Sequence, residues 1–574
     1  MTHTDLLTLF RQRVEKDPGQ VAVLDHDIYA SRASGSLAVR SSTTAREMWD
    51  DVLGLAVALK ELGIERGDVV ALQLPNWHEW LTTHLALYAI GAVTMPISPV
   101  FRTRDVSRQL AVADVRALVL PASFGSFDFL AMGAELQRTN PGIAHVIAIG
   151  DVGDRPVQSW SELVRVGSSS DHDALRDEIA EGRHANAVDD FMLLNFTSGT
   201  TGEPKGVMHT TTTISSVVGA AAERLELSSE DLVFVAVTLG HAGGFLNGIY
   251  LPLLLGSPIV YLDLWDAGFA LEVIQRERIT YGPAMPPFLL DMINHPDFAT
   301  TDISSWRTAR VSGGVMPRHV IAALHRQIPT IRLCPGWGMS ELSYVTCGSP
   351  DDPIEKMNYT DGRPLGPCEI QIRDETCTQE LPVGEPGEIV VRSSGLTLGY
   401  IGRDELTKAS ITADGWFKSG DIGKIDAEGY LTVVGRSKDI ILRGAENVPV
   451  IEVELAITEH PQVNAVALIG VPDERLGERV CAVIEFVDRE QPLTVEELRD
   501  FLVSQEMTRQ FIPEYVVPIG ALPRTPSGKI RKMIVRDQIA PQFAEGTTTG
   551  GISSAGTAGQ PPTSRPSDGQ NGTP

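Results

Sequence analysis

One stretch constrains this chain more than any other: Leu193-Leu194-Asn195-Phe196-Thr197-Ser198-Gly199-Thr200-Thr201-Gly202-Glu203-Pro204-Lys205-Gly206-Val207. A short apolar run of strand character feeds a loop of Thr, Ser and Gly that one Lys closes. Small residues let the backbone approach an anion closely, hydroxyls and unpaired N–H groups donate to phosphate oxygens, and the lysine adds a point charge. The loop is not a P-loop of the GxxxxGK[ST] kind, because Gly206 follows Lys205 where a Ser or Thr would bind magnesium. A polar surface turn is the plain alternative for such a composition. Partner motifs elsewhere in the chain decide between the two.

At 574 residues the chain is too long for one core and is expected to hold two or more domains. The net charge of −26 argues against nucleic acid and against an anionic membrane surface, since both need clustered Lys and Arg. An anionic ligand must therefore be held by a local positive site. Cys334, Cys347, Cys368, Cys377 and Cys481 form no CxxC pair and are odd in number, so free thiols in a reducing cytosol are expected. The N-terminus lacks a basic region followed by an apolar one, and the most apolar stretch, residues 245–262, is interrupted by Asn247, Pro252, Gly256 and Pro258. No signal peptide and no membrane span are expected, and the expected location is cytoplasmic.

Along the chain, residues 5–16 have helical spacing, residues 30–42 read as a Ser/Ala/Gly loop, and a second helix begins at Thr43. Strands are expected at 68–74, 92–97, 116–120 and 145–149, with Asn76 capping a helix that runs to about Ile90. The rhythm resumes after the opening stretch, with strands at 231–237 and 259–262 around a buried apolar segment at 246–255. It implies layered α/β with a mostly parallel sheet. Residues 369–373 and 387–392 alternate between Gly/Pro turns and predict a small antiparallel or barrel-like subdomain. A boundary falls near residues 435–439. Beyond it lie helices at 450–459 and 494–506 and strands at 463–469 and 480–486. The Gly/Ser/Thr/Pro tail from about 543 to 574 is expected to be disordered.

The stretch from Thr197 to Gly206 resembles the phosphate loop of the adenylate-forming superfamily, which includes acyl-CoA synthetases, luciferases and peptide-synthetase adenylation domains. The resemblance extends over residues 43–537. It implies an N-terminal AMP-binding domain over residues 1–435, with layered α/β sheets and a small β-barrel subdomain. It also implies a small mobile α+β domain over 436–542. Thr197, Ser198, Gly199, Thr200, Thr201 and Lys205 would bind the phosphates of ATP. Gly336-Trp337-Gly338-Met339-Ser340-Glu341 resembles the motif whose aromatic ring stacks on adenine, whose hydroxyl contacts the α-phosphate and whose Glu helps to hold magnesium. Trp337 and Ser340 stand where Tyr and Thr are usual, and both keep the needed π-face or hydroxyl. Pro335 stands where relatives often place an amide that reaches adenine.

Asp421, in Trp416-Phe417-Lys418-Ser419-Gly420-Asp421, matches the acceptor of the ribose hydroxyls, a diol suited to a carboxylate with two acceptor oxygens. Arg436 matches a second ribose contact and Lys438 the interdomain hinge. Gly444, Ala445 and Glu446 match the loop that lines the pantetheine tunnel, with Ala445 in place of the usual second glycine. Lys529, in Pro523-Arg524-Thr525-Pro526-Ser527-Gly528-Lys529-Ile530, matches the adenylation lysine. Gly313 and Gly314, followed by Val315, match the segment against which adenine and the acyl group pack. His241, Gly243, Met285, Val315 and Met339 are candidate acyl-pocket residues, and the softness and size of Met285, Trp337 and Met339 suggest an apolar acyl group. Thr201 and Glu341 are the candidate magnesium residues.

The resemblance thus implies an ATP-dependent carboxylic acid–CoA ligase using ATP, Mg2+ and CoA. The expected acid is medium-chain, alicyclic or otherwise apolar, and the expected catalytic residues are Lys529, Glu341 and His241. Two alternatives stand beside it: an adenylating enzyme that loads a separate carrier protein, and a nucleotide-binding regulator without catalysis. Small-molecule partners are expected, with no nucleic acid, and a homodimer is one expected assembly.

Overall fold

In this computed structural model residues 5–198, 204–313, 316, 318–436, 441–443, 446–473, 476–505, 507–525, 528–544 and 553–554 are described. The chain divides into two compact units, Met1–Lys438 with Arg524–Lys529, and Asp439–Pro523 with Ile530–Pro574.

The first unit carries two large, mostly parallel sheets. Strand order in the eight-stranded sheet is Gly399–Tyr400, Pro204–His209, Leu193–Ser198, Val93–Pro96, Val69–Leu72, Val115–Pro121, His145–Ile149 and Gln158–Ser159. In the seven-stranded sheet it is Arg332–Pro335, Thr308–Val311, Tyr281–Ala284, Val233–Val235, Ile259–Leu262, Val21–Asp27 and Ala38–Thr44. Val69–Leu72 and Ile259–Leu262 are buried at every position, which is why they read as unbroken apolar runs rather than alternating ones; Val93–Pro96 is equally buried and includes Thr94. The helix Ala45–Glu61 starts on a capping box between Thr44 and Glu47 and buries Met48, Val52, Leu55 and Leu59. The helix His78–Ala89 is buried almost all round, so its sequence shows little amphipathicity.

The antiparallel subdomain forms as a four-stranded sheet of Cys368–Arg373, Gly387–Ser393, Phe417–Ile425 and Leu431–Arg436. In the second unit Ile441–Arg443, Gly477–Phe486 and Tyr515–Pro518 form a sheet that Val463–Asp473 joins, packed with helices Val450–Thr458, Val495–Ser504 and Lys532–Ile539. All five cysteines are free and buried. Among the described residues no helix is long and apolar enough to cross a membrane.

Three expectations are corrected. Residues 30–42 are not a loop: they hold the end of helix Ile28–Ser34, capped by Asp27, and most of strand Ala38–Thr44. That strand lies at a sheet edge, pairing with Val21–Asp27 alone, so it is only partly buried and carries polar residues. Asn76 does not cap the following helix, whose N-cap is Trp77. Its amide is buried and bonds the carbonyls of Val237 and Leu262 at 3.1 Å each, while its Oδ1 accepts from Leu239 N at 2.9 Å. In the tail, Ser553–Ser554 pairs antiparallel with Tyr515 and Val516; residues 545–552 and 555–574 lie outside the described residues.

Candidate active site

The phosphate-loop stretch is an antiparallel hairpin of Leu193–Ser198 and Pro204–His209, with Thr197 opposite Lys205. It sits at one side of the large sheet beside Gly399–Tyr400. Lys205 Nζ lies 5.2 Å from the Tyr400 ring centroid, a cation–π distance. The Tyr400 hydroxyl donates to Glu341 Oε1 at 2.8 Å, and Glu341 is only 7% exposed. Burial, then the Glu341 carboxylate, drives the Tyr400 pKa upward, so this phenol remains a donor at neutral pH. Lys205, Tyr400 and Glu341 therefore form one connected chain from the loop to the candidate magnesium acid. Gly199, Thr200 and Thr201 lie outside the described residues, and Ser198 is described for its backbone alone.

Trp337 precedes a tight hairpin in which Gly338–Met339 pairs with Ser343–Tyr344. The Trp337 backbone N–H donates to Thr346 Oγ1 at 2.9 Å, and its indole Nε1 donates to Asp421 Oδ2 at 2.8 Å. Arg436 Nε donates to the other oxygen of Asp421 at 3.1 Å, and the two residues pair across neighbouring strands. Three motifs separated by up to 99 residues (337 to 436) thus meet in one hydrogen-bonded array. Ser340 is held from below: its carbonyl accepts from His209 Nε2 at 2.7 Å, which fixes the proton of that imidazole on Nε2. Burial lowers the His209 pKa to about 4, so it is neutral.

His241 caps the short helix Ala242–Phe245 by accepting from Gly243 N through Nδ1 at 3.2 Å, which assigns its proton to Nε2. Burial and then the nearby Lys529 lower its pKa to about 4. The Lys529 side chain is solvent-accessible, yet the loss of water around its ammonium, followed by repulsion from Arg436, lowers its pKa against the attraction of Asp421. Gly313 has φ +90°, and a Cβ there would lie 2.9 Å from Met285 Cε and 3.6 Å from Lys529 Cε. A side chain at 313 would be strained in its own backbone and would intrude on Met285. Met285 is buried, and Gly243 and Met339 are half-buried.

Trp337, Asp421, Arg436, Lys529, His241, Gly313 and Met285 are therefore linked by contact or field, and Lys205 and Glu341 through Tyr400. Gly314, Val315, Lys438, Gly444 and Ala445 lie outside the described residues, and Glu446 is described for its backbone alone. Tyr400 and His209 are site residues that motif reading misses. Each supports a motif member through one hydrogen bond across the fold, a relation with no signature in a single sequence.

Comparisons with known proteins define the class of this chain as an adenylate-forming enzyme. Residues 10–401 match the family described as AMP-binding enzyme, and residues 452–529 match AMP-binding enzyme C-terminal domain. The chain is 33% identical over 477 residues to the medium-chain fatty-acid–CoA ligase of Escherichia coli (strain K12), covering 83% of this chain and 82% of that one. It is 29% identical over 514 residues to the mitochondrial medium-chain acyl-CoA ligase of Homo sapiens, covering 86% and 83%. Among solved structures, an amide bond synthetase from Marinactinospora thermotolerans superposes with TM-score 0.78 at 30% identity, covering 93% of this chain and 99% of that one. An anthranilate CoA ligase in complex with anthranoyl-AMP shares the fold at TM-score 0.82 and 22% identity, covering 94% and 98%. The chain belongs to the AMP-binding enzyme family, as an acyl-CoA synthetase of the adenylate-forming superfamily whose substrates are ATP with Mg2+, a carboxylic acid and CoA.

Proposed function

We propose that this enzyme joins a medium-chain, apolar carboxylic acid to CoA in two steps, and that the residues assembled above carry them. In the first step the carboxylate attacks the α-phosphorus of ATP and pyrophosphate leaves, giving an acyl-adenylate. In the second the CoA thiol attacks the acyl carbon, AMP leaves, and the thiol proton goes to solvent. Direct condensation fails at neutral pH because hydroxide is a poor leaving group, whereas AMP is a good one.

The observation that carries this reading is the array of Trp337, Asp421 and Arg436 with Lys529 beside it. In this reading the Trp337 ring supports adenine, and Asp421 accepts from the ribose hydroxyls with Arg436 orienting it. Lys529 bridges the acid and the α-phosphate as negative charge rearranges. Ser340 offers its hydroxyl to the same phosphate. The buried carboxylate of Glu341, already oriented by Tyr400, would help to hold the Mg2+ that accompanies ATP, a hard cation that would offset phosphate charge. Lys205 and the hydroxyl loop grip the departing pyrophosphate. His241, neutral and protonated on Nε2, can donate a hydrogen bond to the acid without adding charge. The roles of Lys438 as hinge and of Gly444, Ala445 and Glu446 in the pantetheine tunnel rest on their motifs.

The choice of acid rests on Met285 and Met339 as pocket walls, which are soft and apolar, and on relatives named for medium-chain acids. Exchange of labelled pyrophosphate into ATP tests it with short-, medium- and long-chain acids and with alicyclic acids. Strongest exchange with medium-chain acids supports the assignment, and strongest exchange with charged or very short acids overturns it. A second reading has one observation in its favour, the likeness to an amide bond synthetase. Here an amine takes the place of CoA. AMP release that depends on CoA and not on amines excludes it.

A further inference from the structure

Arg310 is only 2% exposed. It sits in the strand Thr308–Val311, between Tyr281–Ala284 and Arg332–Pro335. A guanidinium inside a parallel sheet is costly unless something balances it. Its Cζ stands 3.8 Å from the Tyr344 ring centroid, its Nη2 reaches the Thr346 carbonyl at 3.5 Å, and its side chain also hydrogen-bonds the neutral thiol of Cys347. Its Nε has no hydrogen-bond partner. The titratable groups facing it are Tyr281, Tyr344 and the thiols of Cys334 and Cys347. Burial raises the pKa of every one, so all are neutral at pH 7. Among the described residues no carboxylate pairs with Arg310.

The guanidinium lies directly under the proposed nucleotide site. A Cβ at Gly336 would be 2.5 Å from Arg310 Nη2 and 2.9 Å from Cζ, so the glycine before Trp337 is what admits it. In sequence Arg310 stands three residues before Gly313. The cation therefore packs beneath one segment assigned to adenine and closely precedes the other in the chain, and its surroundings are dry enough for its field to reach a neighbouring anion with little screening.

We propose that Arg310 is a positioning residue for the nucleotide, a buried charge left uncompensated in the empty enzyme and balanced by the bound anion. This rests on the adenylate-forming reading above. It predicts opposite signs for stability and affinity. Removing an unbalanced buried charge leaves the empty fold as stable or more so. The same change weakens the hold on a polyphosphate. A role in packing alone would lower both together.

The test uses the full chain as wild type, Arg310→Met and Arg310→Lys. Thermal unfolding without ligand, MgATP binding by calorimetry, and the split of KM from kcat for ATP are measured on each. For Arg310→Met we expect an unfolding temperature equal to or above that of the wild type. We also expect about ten-fold or more weaker MgATP binding, a raised KM for ATP and a nearly unchanged kcat. Arg310→Lys, which keeps the charge, should bind MgATP within about three-fold of the wild type. Wild-type affinity in Arg310→Met overturns the proposal. So does a joint loss of stability and affinity in both variants, or failure of both to fold, since each marks a packing role. Failure of the wild type to bind MgATP would instead strike the reading of the site itself.

Discussion

The indole Nε1 of Trp337 donates to Oδ2 of Asp421 at 2.8 Å, tying the residue assigned to adenine to the residue assigned to ribose. Arg436 holds the other oxygen at 3.1 Å, so the carboxylate is clamped from two sides at only 7% exposure. Trp337→Phe keeps a ring face for adenine and removes the donor. A hydrogen bond to a charged group is worth about 1.5–3 kcal/mol. The KM for ATP should therefore rise about ten-fold or more, with a smaller change in kcat. Steady-state kinetics at saturating acid and CoA would check this. An unchanged KM would mean that Arg436 alone sets Asp421.

Tyr400 occupies the middle of the chain from Lys205 to Glu341. Tyr400→Phe keeps the ring under the Lys205 ammonium but leaves a buried carboxylate oxygen without its donor. The expected result is a shifted magnesium requirement for pyrophosphate exchange and a loss of about 1–3 kcal/mol in stability. Tyr400→Leu should additionally weaken ATP binding through Lys205. Titration of exchange activity against Mg2+ separates the two variants. Identical magnesium curves for wild type and Tyr400→Phe would rule out a link between this phenol and Glu341 as the candidate magnesium residue.

Lys529→Ala should reduce pyrophosphate exchange by two orders of magnitude or more, in line with the loss of a preorganised charge at the transition state. Thioester formation from acyl-adenylate supplied in solution should persist, because that step has already passed the phosphate displacement. Equal loss of both steps would contradict the assigned role.

Among the described residues, the candidate site is legible in the sequence where its members belong to contiguous motifs: Lys205, Trp337 to Glu341, Asp421, Arg436 and Lys529. What is not legible is the shell that orients them. His209 under Ser340, Tyr400 against Glu341 and Arg310 beneath Gly336 act across 131, 59 and 26 residues of chain, and each looks like an ordinary strand or loop residue in isolation. The fold shows the same division. Buried strands announce themselves by unbroken apolar runs, as at Ile259–Leu262. The edge strand Ala38–Thr44, polar because one side lacks a partner strand, passes for a loop.

The pH dependence of stability contains two opposed sets of groups. Burial lowers the pKa of His209 to about 4 and of His84 to about 3, so between the ordinary histidine range and those values the unfolded chain takes up protons that the folded one refuses. These two destabilise the fold as pH falls. Asp263 and Asp361, raised by burial to about 6, do the reverse, because the folded state keeps protons that the unfolded chain has released. The two sets act in opposite directions, and single variants separate them. In His209→Gln the stability difference, wild type minus variant, should shrink by about 1.4 kcal/mol per pH unit as pH falls from about 6 to about 4. Urea unfolding at several pH values reads this directly. A difference that stays constant would mean that His209 accepts its proton within the fold.

Asn76 follows the strand Val69–Leu72 of one sheet and bonds the carbonyls of Val237 and Leu262 at the ends of two strands of the other. Its Oδ1 also accepts from Leu239, two residues before His241. The side chain satisfies donors and acceptors that no ladder reaches, at the crevice beyond the strand ends where α/β sheets place their ligands. Asn76→Leu leaves at least three buried backbone groups unpaired. The expected cost is about 3 kcal/mol or more in stability. Because the released segment carries His241 and not the ATP-facing motifs, the KM for the acid should rise more than the KM for ATP. Asn76→Asp should be worse still, since it turns a carboxylate oxygen toward two carbonyls where the amide donated. Denaturant unfolding together with substrate-by-substrate kinetics tests both parts. Equal effects on the two KM values would show that Asn76 braces the whole crevice rather than the acid side of it.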